Sequence, residues 1–200
     1  RLDGFRLDHD RLGYLAAHGL VRTALSSRDP STEPSRWHFR AAAQGRPELD
    51  CAQHDVALRF NLSHTEGTVA CVVTAGADCG IDVEHTPGAA DVTLLARGTL
   101  TADERAALAA YSGERRRREF FRYWTLKEAY AKARGLGMAM PFQEVGFDLG
   151  GDAVRLAAGA ADDTGGWHFA QWFTPGDAAV GVAIRGPVEL VRHAAPPPMR

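Results

Sequence analysis

At 200 residues and 45% hydrophobic content, the chain is long enough for one sizeable core or two small ones. A net charge of −2 and a pI near 6.5 exclude a broadly basic, nucleic-acid-binding surface, while leaving room for a local phosphate pocket. Cys51, Cys71 and Cys79 make an odd count without CxxC spacing, which argues against a disulfide framework or zinc site and fits a reducing cytoplasm. No apolar run approaches the roughly 20 residues of a membrane span. The start, at Arg1 rather than Met, has no signal-peptide segment, and upstream residues are expected.

A helix is predicted over 10–26, where Leu12, Leu15, Ala16, Leu20 and Ala24 fall near helical spacing and Asp10 serves as N-cap. The Ser-, Asp- and Pro-rich stretch 26–35 reads as a loop, 37–40 as a short strand, and 41–55 as irregular with a turn at Gly45-Arg46-Pro47. Strands are expected over 60–64 and 68–74. The turn Ala75-Gly76-Ala77-Asp78-Cys79 is expected to fold 80–84 back on the second of these as a hairpin. A loop at Thr86-Pro87-Gly88 marks the boundary between an N-terminal half, 1–90, and a C-terminal half, 91–193. In the second half, Thr101-Ala102-Asp103-Glu104 starts a helix with Glu104 in the capping-box position. The longest helix, 114–134, stops at Gly135, with Gly137 reinforcing the stop. Strands are then expected around 145–148, 154–156, 167–173 and 178–184, and the Pro-rich tail, 194–200, is expected to be disordered. A helix and small antiparallel strands in each half hint at internal duplication.

Two distant segments carry the chemistry. In Gly80-Ile81-Asp82-Val83-Glu84, strand alternation puts Asp82 and Glu84 on one face and Ile81 and Val83 on the other. Two adjacent carboxylates repel unless a cation or proton intervenes. In the second segment, Phe121, Trp124, Glu128 and Ala131 share a helical stripe, so Glu128 continues a core-facing surface. There a carboxylate costs several kcal/mol unless paired or metal-bound, an order-of-magnitude figure. Lys127 and Lys132 flank it, and a plain Glu128–Lys132 helix pair, worth only about 0.3–0.5 kcal/mol, is the competing reading. Three hard oxygen ligands beside ammonium groups suit a magnesium ion, with manganese as the alternative, shared with a phosphorylated substrate. His64, at a strand end, can donate to a phosphate, whereas Ser63 points to the opposite face and makes no nucleophile–base pair with it. Arg22 and Arg46 are candidate phosphate clamps, against the plainer reading of Arg22 as a helix-end cation. The run Arg115 to Arg118 reads as a solvated helix face.

Taken in order, Gly-Arg-Pro (45–47), Phe-Asn-Leu-Ser-His (60–64), Gly-Ile-Asp-Val-Glu (80–84), Phe121, Trp-Thr-Leu-Lys-Glu-Ala (124–129), Lys132 and Gly135-Leu136-Gly137 resemble the Sfp-type 4'-phosphopantetheinyl transferases over about residues 10–185. The resemblance implies an α+β fold, a monomeric pseudo-dimer of two similar halves, each a helix on a small antiparallel sheet, with the site in the cleft between them. It implies transfer of the phosphopantetheine arm of coenzyme A to a serine of an acyl or peptidyl carrier protein, with release of 3',5'-ADP, in polyketide and nonribosomal-peptide synthesis. On that reading Asp82, Glu84 and Glu128 hold the metal, Glu128 is also the base for the carrier serine, and Lys132 and His64 contact phosphates. Arg22, Arg46 and Ser63 join them in binding coenzyme A, Arg46 standing where many members carry lysine. Two alternatives stand beside it: a magnesium-dependent phosphohydrolase, and a coenzyme A-binding module without turnover.

Overall fold

The structure, a computed structural model, describes residues 8–42, 46–50, 52–86, 91–151, 153–157 and 166–194. All but the first residue of the expected disordered tail lie outside them. The first helix, α1 (Asp8–Arg28), forms where the sequence places it, but its buried face is turned by one position. Ala17, Val21 and Leu25, at i, i+4 and i+8, are buried, while Leu12 and Leu15 are exposed. Val21 and Leu25 form one core cluster with Trp37, Leu49 and Phe60. Short strands β1 (Phe39–Ala41) and β2 (Pro47–Leu49) pair antiparallel, and β3 (Leu58–Thr65) and β4 (Thr68–Ala75) form a hairpin under α1.

The third strand of the expected meander goes elsewhere. β5 (Cys79–His85) does not pair with β4; it pairs antiparallel with β9 (Ala178–Arg185), whose other edge takes β8 (Trp167–Phe173), in the order β5-β9-β8. Cys79 through Val83 are all buried, so both faces of the strand need covering. Pairing with β9 sets Val180, Val182 and Ile184 with Ile81 and Val83 on one face and leaves the other face to α4, so the long-range partner supplies the cover. The edge of β5 away from β9 meets β3 through side chains. The N–H groups of Ile81, Val83 and His85 donate to Asn61 Oδ1 (2.9 Å), Ser63 Oγ (3.3 Å) and Thr65 Oγ1 (3.2 Å). The constant offset of 20 residues means that β3 and β5 run parallel along this polar seam.

Three α-helices and a short ribbon lie between β5 and β8 among the described residues. α2 (Val92–Thr99) is an element the sequence reading left unassigned, although Asp91 caps it by accepting from the Thr93 N–H at 2.9 Å. α3 (Ala102–Ala109) starts with the expected capping box between Thr101 and Glu104. α4 (Gly113–Arg134) ends at Gly135, in the left-handed region at φ 67°, as expected. Strands β6 (Phe147–Asp148) and β7 (Arg155–Leu156) form a small ribbon. α4 packs across β5 and β9, with α2 and α3 against its outer side. The architecture is α+β, helix on small antiparallel sheet occurring twice: α1 on β3–β4 and α4 on β5–β9–β8.

Candidate active site

Glycines set the depth at which α4 lies on the sheet. A Cβ on Gly181 would stand 2.5 Å from the backbone carbonyl carbon and oxygen of Thr125. One on Gly80 would overlap the Ala129 carbonyl. Gly181 is the register partner of Asp82, so the helix backbone crosses beside that carboxylate. In β9 the small residues Ala179, Gly181 and Ala183 alternate with Val180, Val182 and Ile184, the larger set packing with Ile81 and Val83 on the opposite face. Gly80, Asp82 and Glu84 therefore share the α4 face.

Asp82 is 4% exposed. Its Oδ1 accepts from Lys132 Nζ at 2.6 Å and from the Ser63 hydroxyl at 3.0 Å. Its Oδ2 is buried and has no hydrogen-bond partner. Lys132 Nζ also donates to Ser63 Oγ (3.1 Å) and the Ile81 carbonyl (3.3 Å). Lys132 thus pairs across the helix–strand junction with Asp82, and the plain Glu128–Lys132 helix pair does not form. Glu84 accepts a long hydrogen bond from Trp124 Nε1 at 3.4 Å. Burial pushes the Glu84 carboxyl up, and Asp82 pushes it further. Glu128 is raised by the same two causes in the same order, with Lys132 opposing and Glu84 adding. The three acids thus sense one another, although among the described residues no three His, Cys, Asp or Glu side chains converge as a ready ligand set.

The other expected residues are placed differently. His64 is exposed on β3 while Ser63 is buried, so the pair does face opposite ways. Arg46 joins three elements by donating to the carbonyls of Lys132, Phe60 (3.2 Å) and Cys79 (3.2 Å). Arg22 donates to Pro34 O (2.9 Å) and Trp37 O (2.8 Å) and lies over the Phe39 ring, closing the loop after α1. Lys127 is not part of the site. It is fully buried, ion-paired to Glu104 at 2.8 Å, and donates to the carbonyls of Phe142 (2.7 Å) and Val145. Its neighbourhood on the helix misled the sequence reading, because residues one position apart on a helix face different sides. Asn61 and Thr65 were missed; their alternation with Ser63 along β3 is the signal that would have found them. A cavity of about 750 Å³ between α3, α4 and β6 is lined by Glu104, Tyr123 and Phe147, but by none of Asp82, Glu84, Glu128 or Lys132.

The family model of the 4'-phosphopantetheinyl transferase superfamily matches residues 78–183, from the turn before β5 into β9. The match covers a little over half of the chain and includes both the strand and the helix that carry the acids. The chain belongs to the 4'-phosphopantetheinyl transferase superfamily. Among its relatives in the superfamily is the 4'-phosphopantetheinyl transferase pptA of Paxillus involutus, 30% identical over 193 residues, which cover 87% of this chain and 70% of that protein. Another is the 4'-phosphopantetheinyl transferase HetI of Nostoc sp., 33% identical over 139 residues, or 70% of this chain and 58% of HetI. The chain therefore spans well under the full length of these relatives. Two solved superfamily-type structures resemble it in part. A holo-(acyl-carrier-protein) synthase from Bacillus anthracis in complex with CoA (3',5'-ADP) has TM-score 0.46 and 22% identity, over 54% of this chain and 94% of that one. The Thermotoga maritima holo-[acyl-carrier-protein] synthase has TM-score 0.43 and 24% identity, over 55% of this chain and 62% of that one.

Proposed function

We propose that this superfamily member is an Sfp-type transferase that moves the 4'-phosphopantetheine arm of coenzyme A onto a serine of an apo carrier protein and releases 3',5'-ADP. The observation that carries this reading is Asp82: a buried carboxylate with one oxygen neutralised by Lys132, the other without a partner, and two further acids perturbed by it. An orphaned buried oxygen beside two strained carboxylates fits a hard divalent cation, magnesium or manganese, held by Asp82, Glu84 and Glu128. When bound, such an ion supplies charge neutralisation for the carboxylates and for a pyrophosphate.

The chain's own residues do the rest. The serine oxygen forms a bond to the phosphorus that bears the pantetheine arm. The bond from that phosphorus to the bridging oxygen of 3'-phosphoadenosine 5'-phosphate breaks, and the electron pair leaves on the nucleotide. Glu128 takes the serine proton, because a serine hydroxyl is a weak nucleophile at neutral pH and needs a nearby carboxylate to accept it. Lys132 supplies positive charge to the phosphates by exchanging its longest contact, that to the Ile81 carbonyl at 3.3 Å. His64 is exposed and available to the same phosphates. Arg22 and Arg46 border the nucleotide side with most of their donors already on protein carbonyls. On this reading the site lies between two halves, 1–90 and 91–193, joined where β5 pairs with β9. The chain works as a cytoplasmic monomer on carriers of polyketide and nonribosomal-peptide assembly. The unpaired Cys71 and Cys79 agree with that compartment, burial pushing the Cys71 thiol up to about 12. Among the described residues no helix is long and apolar enough to cross a membrane.

The test incubates the protein with coenzyme A, magnesium and several apo carriers and weighs the carriers by mass spectrometry. A gain of one phosphopantetheinyl group is expected. Cleavage of coenzyme A without any carrier would identify a phosphohydrolase. Intact, bound coenzyme A with unchanged carriers would identify a binding module.

A further inference from the structure

We infer that the Ser63 hydroxyl is a positioning group for Asp82 and Lys132. The inference rests on the proposed cation site at Asp82. A serine hydroxyl has one proton to donate and two lone pairs to accept with. Ser63 has all three in use. Its O–H goes to Asp82 Oδ1 (3.0 Å), and its oxygen accepts from the Val83 N–H (3.3 Å) and Lys132 Nζ (3.1 Å). The residue is 8% exposed. The hydroxyl is thus fully committed within the protein, its single proton going to Asp82.

The same three bonds dispose of Asp82. Ser63 and Lys132 both hold Oδ1, so the carboxylate plane is fixed and Oδ2 is the oxygen left over. Removing the hydroxyl frees one of the two ties on Oδ1 and takes an acceptor from Lys132. The side-chain seam supplies its own control. Thr65 occupies the equivalent station two residues along β3 and accepts the His85 N–H at 3.2 Å, but no bond links it to an acid. Loss of Thr65 breaks a strand tie alone, whereas loss of Ser63 breaks a strand tie and releases Asp82. Supporting partners of metal ligands characteristically change affinity about 10–100-fold.

The experiment titrates Mn²⁺ into the protein without coenzyme A, by electron paramagnetic resonance of the free ion, for wild type, Ser63→Ala, Ser63→Thr and Thr65→Val. We expect Ser63→Ala to weaken Mn²⁺ binding about tenfold or more, Ser63→Thr to restore it, and Thr65→Val to leave it near wild type. If Ser63→Ala does not fold, Ser63→Cys, with a weaker donor in a similar volume, replaces it and is expected to weaken Mn²⁺ binding. Wild type that binds no Mn²⁺ overturns the cation reading, and this inference with it. Wild type that binds Mn²⁺ as Ser63→Ala does overturns the inference alone.

Discussion

Burial raises the Glu128 carboxyl above its ordinary value of 4.5, and Asp82 raises it further. Between 4.5 and that raised value the folded protein holds a proton that the unfolded chain has lost, so stability falls as pH rises through this window. Glu128→Gln should therefore melt higher than wild type at neutral pH, by about 2–4 °C per kcal/mol of strain relieved. The gap should close below pH 4.5, where wild type is protonated in both states. The same variant should lose turnover, since a site acid is gone. Thermal melts at the two pH values check the first part and the carrier mass assay the second. The two lysines of the helix separate by the same logic. Lys127 is buried, and desolvation lowers its affinity for the proton against the pull of Glu104. Lys127→Ala strands a buried carboxylate and should cost about 3–5 kcal/mol in urea denaturation, with turnover per folded molecule retained. Lys127→Met combined with Glu104→Gln should cost less than the single change. Lys132→Ala should do the reverse, slowing transfer strongly for a smaller loss of stability. Lys132→Arg should rescue only in part, because a planar fork does not reproduce a compact ammonium with three acceptors.

At the scale of elements, α4 is the spine of the second unit, and its seat on the sheet depends on the absence of two Cβ atoms. Gly181→Ala would set a methyl 2.5 Å from the Thr125 carbonyl and 2.7 Å from the Leu126 nitrogen, all backbone, so the helix itself must move. The expected cost is at least the roughly 1–3 kcal/mol of core overpacking, together with lost transfer activity as Glu128 and Lys132 shift with the helix. Gly13 on α1 is the counter-case. A Cβ there meets nothing within 4 Å, and Gly13→Ala should stabilise by up to about 1 kcal/mol. Denaturant titrations of the two variants, run side by side, distinguish a glycine that packing requires from one that it does not.

For the molecule as a whole, the proposed function makes the surface at the start of α4 the expected docking site of a large partner. The arginine run there is not the solvated face that its composition suggests. Arg118 pairs with Asp177 and lies over the Phe173 ring, and Arg115 lies over Tyr111. Arg116 and Arg117 are half-buried, and their Nε atoms are buried without partners. Carriers of this kind are expected to be acidic around the modified serine. Reversing Arg116 and Arg117 to Glu should then raise the KM for the carrier a few-fold, at about 0.2–1 kcal/mol per charge pair, and flatten its salt dependence. The KM for coenzyme A should stay where it is. Steady-state kinetics at two salt concentrations decide between that outcome and a docking surface elsewhere.

Local chemistry in the sequence determined a good deal of this protein. The capping box at Thr101 and Glu104, the stop at Gly135, the strands β3, β4, β8 and β9, and the acidic pair on one face of β5 all follow from interactions within a few residues. They are legible because propensity, capping and alternation act over that range. Tertiary structure alone decided that β5 joins β9 rather than β4, and that α1 buries Ala17, Val21 and Leu25. The leucines left outside are Leu12 and Leu15. Tertiary structure also decided that Lys132 meets Asp82 while Lys127 is sealed into the core with Glu104. Each of these is settled by which distant surface supplies burial or an opposite charge. No window of neighbouring residues contains that information, because the competing partners lie far apart along the chain and meet only once the strands and helices have packed.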